Sequence, residues 1–172
     1  PPVTERPGSA IKDDFGVLWD LEVGAEGGTY PAHNGHTISD LAKWREQIHI
    51  PNVDAMDWNI VHEQVKANAS KDDGQMLKEG FVEFGLYERS YLLLGMEEAL
   101  MAYLTDADLM EEMVSAIADY KVKLITRFCE EAGGLDIVWY GDDWGNQSQL
   151  FLPPEIWRKI IKPHTKRVYD AI

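Results

Sequence analysis

An α/β fold with parallel strands is what this 172-residue sequence predicts. From residue 80 to 172, short apolar strands alternate with amphipathic helices, the arrangement that builds parallel sheets. The run Leu135–Tyr140 carries one Asp among apolar residues, as a strand buried on both faces does. Leu109, Met113, Ile117, Tyr120, Leu124 and Phe128 recur in steps of 4, 4, 3, 4 and 4, a single stripe at helical period.

Along the chain, residues 1–10 read as an irregular arm with three prolines. Residues 11–79 form a loop-rich segment. Within it Gly16–Leu21 predicts a strand, paired with Thr29-Tyr30-Pro31 after a Gly27-Gly28 turn. Ser39 to His49 predicts a short helix opened by Ser39 or Asp40 and ended by Pro51. Asp57 to Asn68 predicts a second helix, and Lys71–Gly74 a loop.

Residues 80–172 carry the clearer pattern. Phe81–Gly85 predicts a strand and Arg89–Leu104 one helix. Thr105-Asp106-Ala107-Asp108 resembles a capping box at the start of the striped helix, which Gly133-Gly134 should stop. After the strand at 135–140, Pro153-Pro154-Glu155 opens a further helix that Pro163 should kink. Two strands are secure, and the last helix runs to Ile172 without a cap, so the chain is expected to be part of a larger fold, held with its missing half or as an oligomer.

Composition narrows the partners. Sixteen Lys+Arg against 30 Asp+Glu give a formal charge of −14. Such a chain lacks the basic patch that nucleic acid or anionic lipid requires. No apolar run approaches a membrane span, the amino terminus has no signal-peptide core, and one cysteine fits a reducing, cytoplasmic setting. Walker, Gly-x-Ser-x-Gly and Cys-x-x-Cys motifs are absent.

Ligands of parallel α/β folds bind beyond the carboxyl ends of the strands. Two polar clusters fall there, Tyr87-Glu88-Arg89 and Asp142-Asp143-Trp144-Gly145-Asn146-Gln147. They predict one shared pocket with Asp142 and Asp143 as the catalytic carboxylates and Tyr87, Glu88, Arg89, Trp144 and Gln147 binding substrate. Each has a plainer reading beside it. The aspartates suit a turn that bonds its own amides, and Glu88-Arg89 suits an ion pair at a helix start. Glu83 belongs on a wet barrel lumen or an exposed edge. His33 and His36 lack a third ligand at metal-site spacing, so no metal residue is assigned. Cys129 reads as a packed thiol, and Lys162, His164, Lys166 and Arg167 as a solvated basic face or partners for nearby carboxylates.

Tyr87–Leu100, with its Gly95-Met96-Glu97, resembles a helix of the uroporphyrinogen decarboxylase superfamily. Ile137–Gly145 resembles the next strand and turn, and Leu152–Trp157 with Lys162-Pro163 the segment after that. Asp14–Trp19 resembles a segment near the family's amino-terminal third. The resemblance implies a (β/α)8 barrel, of which this chain is roughly the middle half. It also implies either tetrapyrrole decarboxylation or methyl transfer with a corrinoid partner protein and zinc. The turn Asp142-Asp143-Trp144-Gly145 places a second carboxylate where the decarboxylases carry serine, which is unfavourable beside a polyanionic substrate. The resemblance therefore leans to the methyltransferase-like branch. The His-x-Cys and distant Cys that bind zinc in that branch are absent from this sequence, and a non-catalytic barrel subunit is the remaining alternative.

Overall fold

The computed structural model describes residues 10–20, 30–70 and 76–172. Ile11–Lys12 (β1), Leu18–Asp20 (β2) and Tyr30–Pro31 (β3) form an antiparallel ribbon in the order β1-β2-β3. Trp19 pairs with Ile11 on one side and Pro31 on the other. The β2–β3 pairing is thus the expected one, while Thr29 and the Gly27-Gly28 turn lie outside the described residues, as do the arm at 1–9 and the loop at 71–74.

The helix expected over 39–49 is shorter and opens as a tight turn. Leu41–Lys43 is 3₁₀ and Trp44–Gln47 (α1) is α-helical. Asp40 Oδ1 accepts from the Ala42 amide at 3.0 Å. Gln47 Oε1 reaches back to the Ser39 and Asp40 amides at 3.0 and 3.2 Å, which satisfies two donors a helix start leaves open. Asn59–Ala69 (α2) follows.

Glu79–Val82 (β4) and Ile137–Tyr140 (β5) pair in parallel, Val82 opposite Tyr140. Three helices connect them: Leu86–Leu94 (α3), Met96–Thr105 (α4) and Ala107–Glu131 (α5). Pro154–Ile156 (α6), a π-helical turn at Trp157–Ile161 and Lys162–Tyr169 (α7) complete the chain. The fold is mixed α/β. Among the described residues the parallel sheet has two strands and does not close into a barrel.

Several elements differ from their sequence-based expectations. β4 ends at Val82 because Phe84 adopts φ 53°, a conformation that leaves the strand and is strained for an aromatic residue. Glu83 therefore lies past the strand rather than within it. The helix expected as one piece over 89–104 is two, since Gly95 takes φ 97°, which no helix interior accommodates. The capping box does not form. Thr105 Oγ1 donates to the Met101 carbonyl and to Asp106, and Asp106 makes no side-chain cap. α5 does stop before Gly133, where the Gly134 amide returns to the Cys129 carbonyl at 2.8 Å.

β5 was expected to be buried on both faces, yet Ile137 and Trp139 are each 44% exposed. Helices cover only the Val82/Val138 side of the sheet. On the open side Phe81, 57% exposed, stacks on Trp139 with centroids 4.2 Å apart. α5, by contrast, is buried over a wider face than one stripe. It packs against α3, α4, β4, the π-turn and α7, so Met110, Val114, Ala118 and Ile125 join Met113 and Ile117 in the core. The π-turn directly precedes Pro163, which has no N–H to donate to the Lys159 carbonyl and would crowd it in a regular helix.

Two members of the basic cluster near the carboxyl end pair with carboxylates. Lys166 meets Asp170 at 2.5 Å, and Arg167 reaches Asp119 and Ser115 on α5. Cys129 is a free, half-buried thiol packed against the core.

Candidate functional site

Parallel pairing puts the carboxyl ends of β4 and β5 side by side, and the ladder continues one step further. The Gly141 amide donates to the Val82 carbonyl at 3.0 Å and the Gly85 amide to the Gly141 carbonyl at 2.8 Å. Gly85 is the N-cap of α3 and has no side chain with which to cap it. Asp142 does so from the other strand. Its Oδ2 accepts from the Tyr87 amide at 3.2 Å and its Oδ1 from the Glu88 amide at 2.9 Å. Trp144 Nε1 donates to the same carboxylate at 2.7 Å.

The two sequence clusters therefore meet, and Asp142 joins them. A Cβ on Gly85 would overlap the Asp142 side chain, so glycine is needed for this close approach. Gly85→Ala should displace Asp142 and destabilise the chain by about 2 kcal/mol or more, the loss of a cap plus a steric clash. In a double-mutant cycle read by urea unfolding, adding Asp142→Ala should then cost much less than it does alone. Full additivity would show the two residues to be uncoupled.

Glu88, in the first turn of α3, is half-buried. Burial and then the Asp142 charge push its carboxyl up to about 7, and the Asp143 amide pulls it part of the way back. Asp142 is also held up by burial, against the pull of the amides and the indole that donate to it. Tyr87, fully buried, is pushed up to about 12 by burial and the same two carboxylates. Its ring lies 6.0 Å from Phe151 in a stacked arrangement and 5.4 Å from Tyr91 edge to face. Ser90 Oγ donates to the Tyr87 carbonyl and meets the Tyr103 hydroxyl at 2.8 Å, which anchors α3 to α4.

Of the remaining predicted residues, Asp143 and Trp144 stay at the rim, whereas Gln147 and Arg89 leave it. Asp143 is exposed at the rim, beside Glu88. Trp144 packs edge to face on Trp157, 4.8 Å away. Gln147 is exposed in the turn where Asn146 Oδ1 accepts from the Ser148 and Gln149 amides, and makes none of the contacts that define the rim. Arg89 does not pair with Glu88. It points the other way, 6% exposed, and Nη1 donates to Asp13 Oδ2 at 2.7 Å. Its guanidinium lies over the rings of Phe15 and Phe84, 4.3 and 5.2 Å from their centroids.

Asp13 is a residue that sequence reasoning missed. It also accepts from the Phe15 and Val17 amides and from Trp19 Nε1. A carboxylate in a turn before a strand resembles any loop aspartate, so its link to a residue 76 positions away left no signal. Lys121 was missed as well, though it had one: it sits four residues from both Ile117 and Ile125, on the apolar side of α5.

Zinc and a corrinoid were expected from the family resemblance. Among the described residues no group of three or more His, Cys, Asp or Glu is placed to hold a metal ion, and His33 and His36 stand in the turn after β3 without such a group. Among the described residues no helix is long and apolar enough to cross a membrane. Comparison with protein-family models, with curated proteins and with solved structures finds no match to this chain.

Proposed function

We propose that this chain is part of a barrel enzyme of the uroporphyrinogen decarboxylase superfamily, in the methyltransferase-like branch, and that Glu88 transfers the proton its reaction requires. The supporting observation is a carboxyl group near 7 at the carboxyl ends of two parallel strands, the rim where such folds bind substrate. A group with that poise exchanges protons in both directions at neutral pH. In methyl transfer from oxygen or nitrogen, the atom losing the methyl group needs a proton, and Glu88 is suited to deliver it. Asp142 sets the position of Glu88 through the amides of α3, Asp143 faces solvent beside it, and Tyr87, Tyr91 and Phe151 form an aromatic wall. The corrinoid, on a partner protein, would supply the methyl-carrying centre. The described residues do not offer a zinc site, so no step is assigned to zinc.

Uroporphyrinogen decarboxylation is the rival reading, because it too replaces a leaving group with a proton at carbon. The test incubates the product of the complete gene with reduced cobalamin and methylated alcohols, amines or aryl ethers. Loss of the reduced corrinoid's absorbance reports methyl transfer, and Glu88→Gln should slow it by about 10²-fold or more. Turnover of uroporphyrinogen in place of methyl transfer would favour the decarboxylase. Absence of both activities would favour the non-catalytic subunit.

A further inference from the structure

A cleft of about 580 Å³ opens between α2, β4 and α5. Trp58, Phe81, Leu124 and Phe128 give it apolar and aromatic walls, and Lys121 and Arg89 lie on its lining. Lys121 is 3% exposed, between two core isoleucines of its helix. Its Nζ donates to the Glu83 carbonyl at 2.7 Å. An ammonium so enclosed loses most of its hydration.

We propose that Lys121 is a carbonyl-reactive amine, and that the cleft admits a small aromatic aldehyde which its Nζ converts to an imine. The Glu83 carbonyl uses one N–H, which leaves the nitrogen lone pair of the neutral amine free. The groups facing Lys121 act in opposing directions. Arg89 on α3 disfavours the ammonium, whereas Asp142, Glu88 and Glu83 favour it. Burial outweighs them all and, with Arg89, brings the amine down to about 7, so the nucleophilic form is abundant at neutral pH. The amine attacks the carbonyl carbon, forming the C–N bond while the oxygen takes up a proton. Loss of that oxygen as water, with the second amine proton, leaves the C=N bond. This chemistry does not depend on the methyltransferase reading.

The test treats the chain with benzaldehyde and sodium cyanoborohydride, which reduces the imine to a stable benzylamine, and locates the adduct by peptide mass spectrometry. At pH 7 Lys121 should be labelled at least about tenfold faster than the exposed Lys43, Lys66 or Lys159. Its labelling should level off above about pH 7.5. Lys121→Met should abolish this adduct alone. Failure to label Lys121, or labelling with the pH profile of the exposed lysines, overturns the proposal. The wild-type pH profile decides this even where the variant fails to fold.

Discussion

Arg89→Ala should destabilise the chain by about 3–5 kcal/mol, the usual cost of leaving one partner of a buried ion pair without the other. The side chains of Arg89 and Asp13 are 7% and 13% exposed, so solvent screens them little. The substitution also removes the guanidinium from between Phe15 and Phe84, two cation–π contacts of roughly 1–2 kcal/mol each in so dry a setting. The Phe15 and Val17 amides and the Trp19 indole continue to donate to Asp13, which keeps the loss towards the lower bound. Because this pair ties the β1–β2 ribbon to α3, Trp19 fluorescence should report the same transition as far-UV circular dichroism. Arg89→Lys should recover only part of the loss, since an ammonium does not reproduce the planar fork stacked on two rings. A cost below about 1 kcal/mol in urea titrations would mean that the ribbon holds α3 by apolar packing alone.

Asp142→Ala should cost about 2–3 kcal/mol, because the Tyr87 and Glu88 amides and the Trp144 indole then face one another without an acceptor. Asp142→Asn keeps one carbonyl oxygen and should cost less. Both variants remove the charge that helps raise Glu88, so its carboxyl should fall from about 7 towards its ordinary 4.5. The sign for stability follows from proton binding. Glu88 holds its proton more tightly folded than unfolded, so its contribution is fully present below about pH 4.5 and is lost as pH rises through about 7. Asp142→Asn should flatten that decline. Carbon-13 titration of the Glu88 carboxyl and urea midpoints between pH 5 and 8 measure the two effects. An unmoved Glu88 would show that burial alone sets its proton affinity.

The same residues mark how much of the fold and site was legible beforehand. Helices α2 and α5 and the β2–β3 pairing could be read from local pattern, since each depends on residues at short spacing, and the strand–helix–strand order implied the parallel β4–β5 pair. The meeting of Tyr87-Glu88 with Asp142-Asp143 was also legible, because parallel strands carry their following loops to one rim. The split at Gly95 was harder to read. A lone glycine in an otherwise helical pattern costs only about 1 kcal/mol and does not by itself announce a positive φ.

The sequence by itself determined the strand–helix alternation, the acidic balance and the residue types gathered at the rim, because these depend on composition and near neighbours. Tertiary structure alone decided what each side chain does there. Asp142 became the cap of a helix 56 positions back because Gly85 leaves space for it. Arg89 turned from Glu88 to Asp13, because Phe15 and Phe84 supply a dry aromatic slot for its guanidinium. Glu88 and Lys121 are displaced to about 7 because neighbours from other elements close over them. Burial and charge at a point in space sum over residues far apart in the chain, and no local pattern encodes that sum.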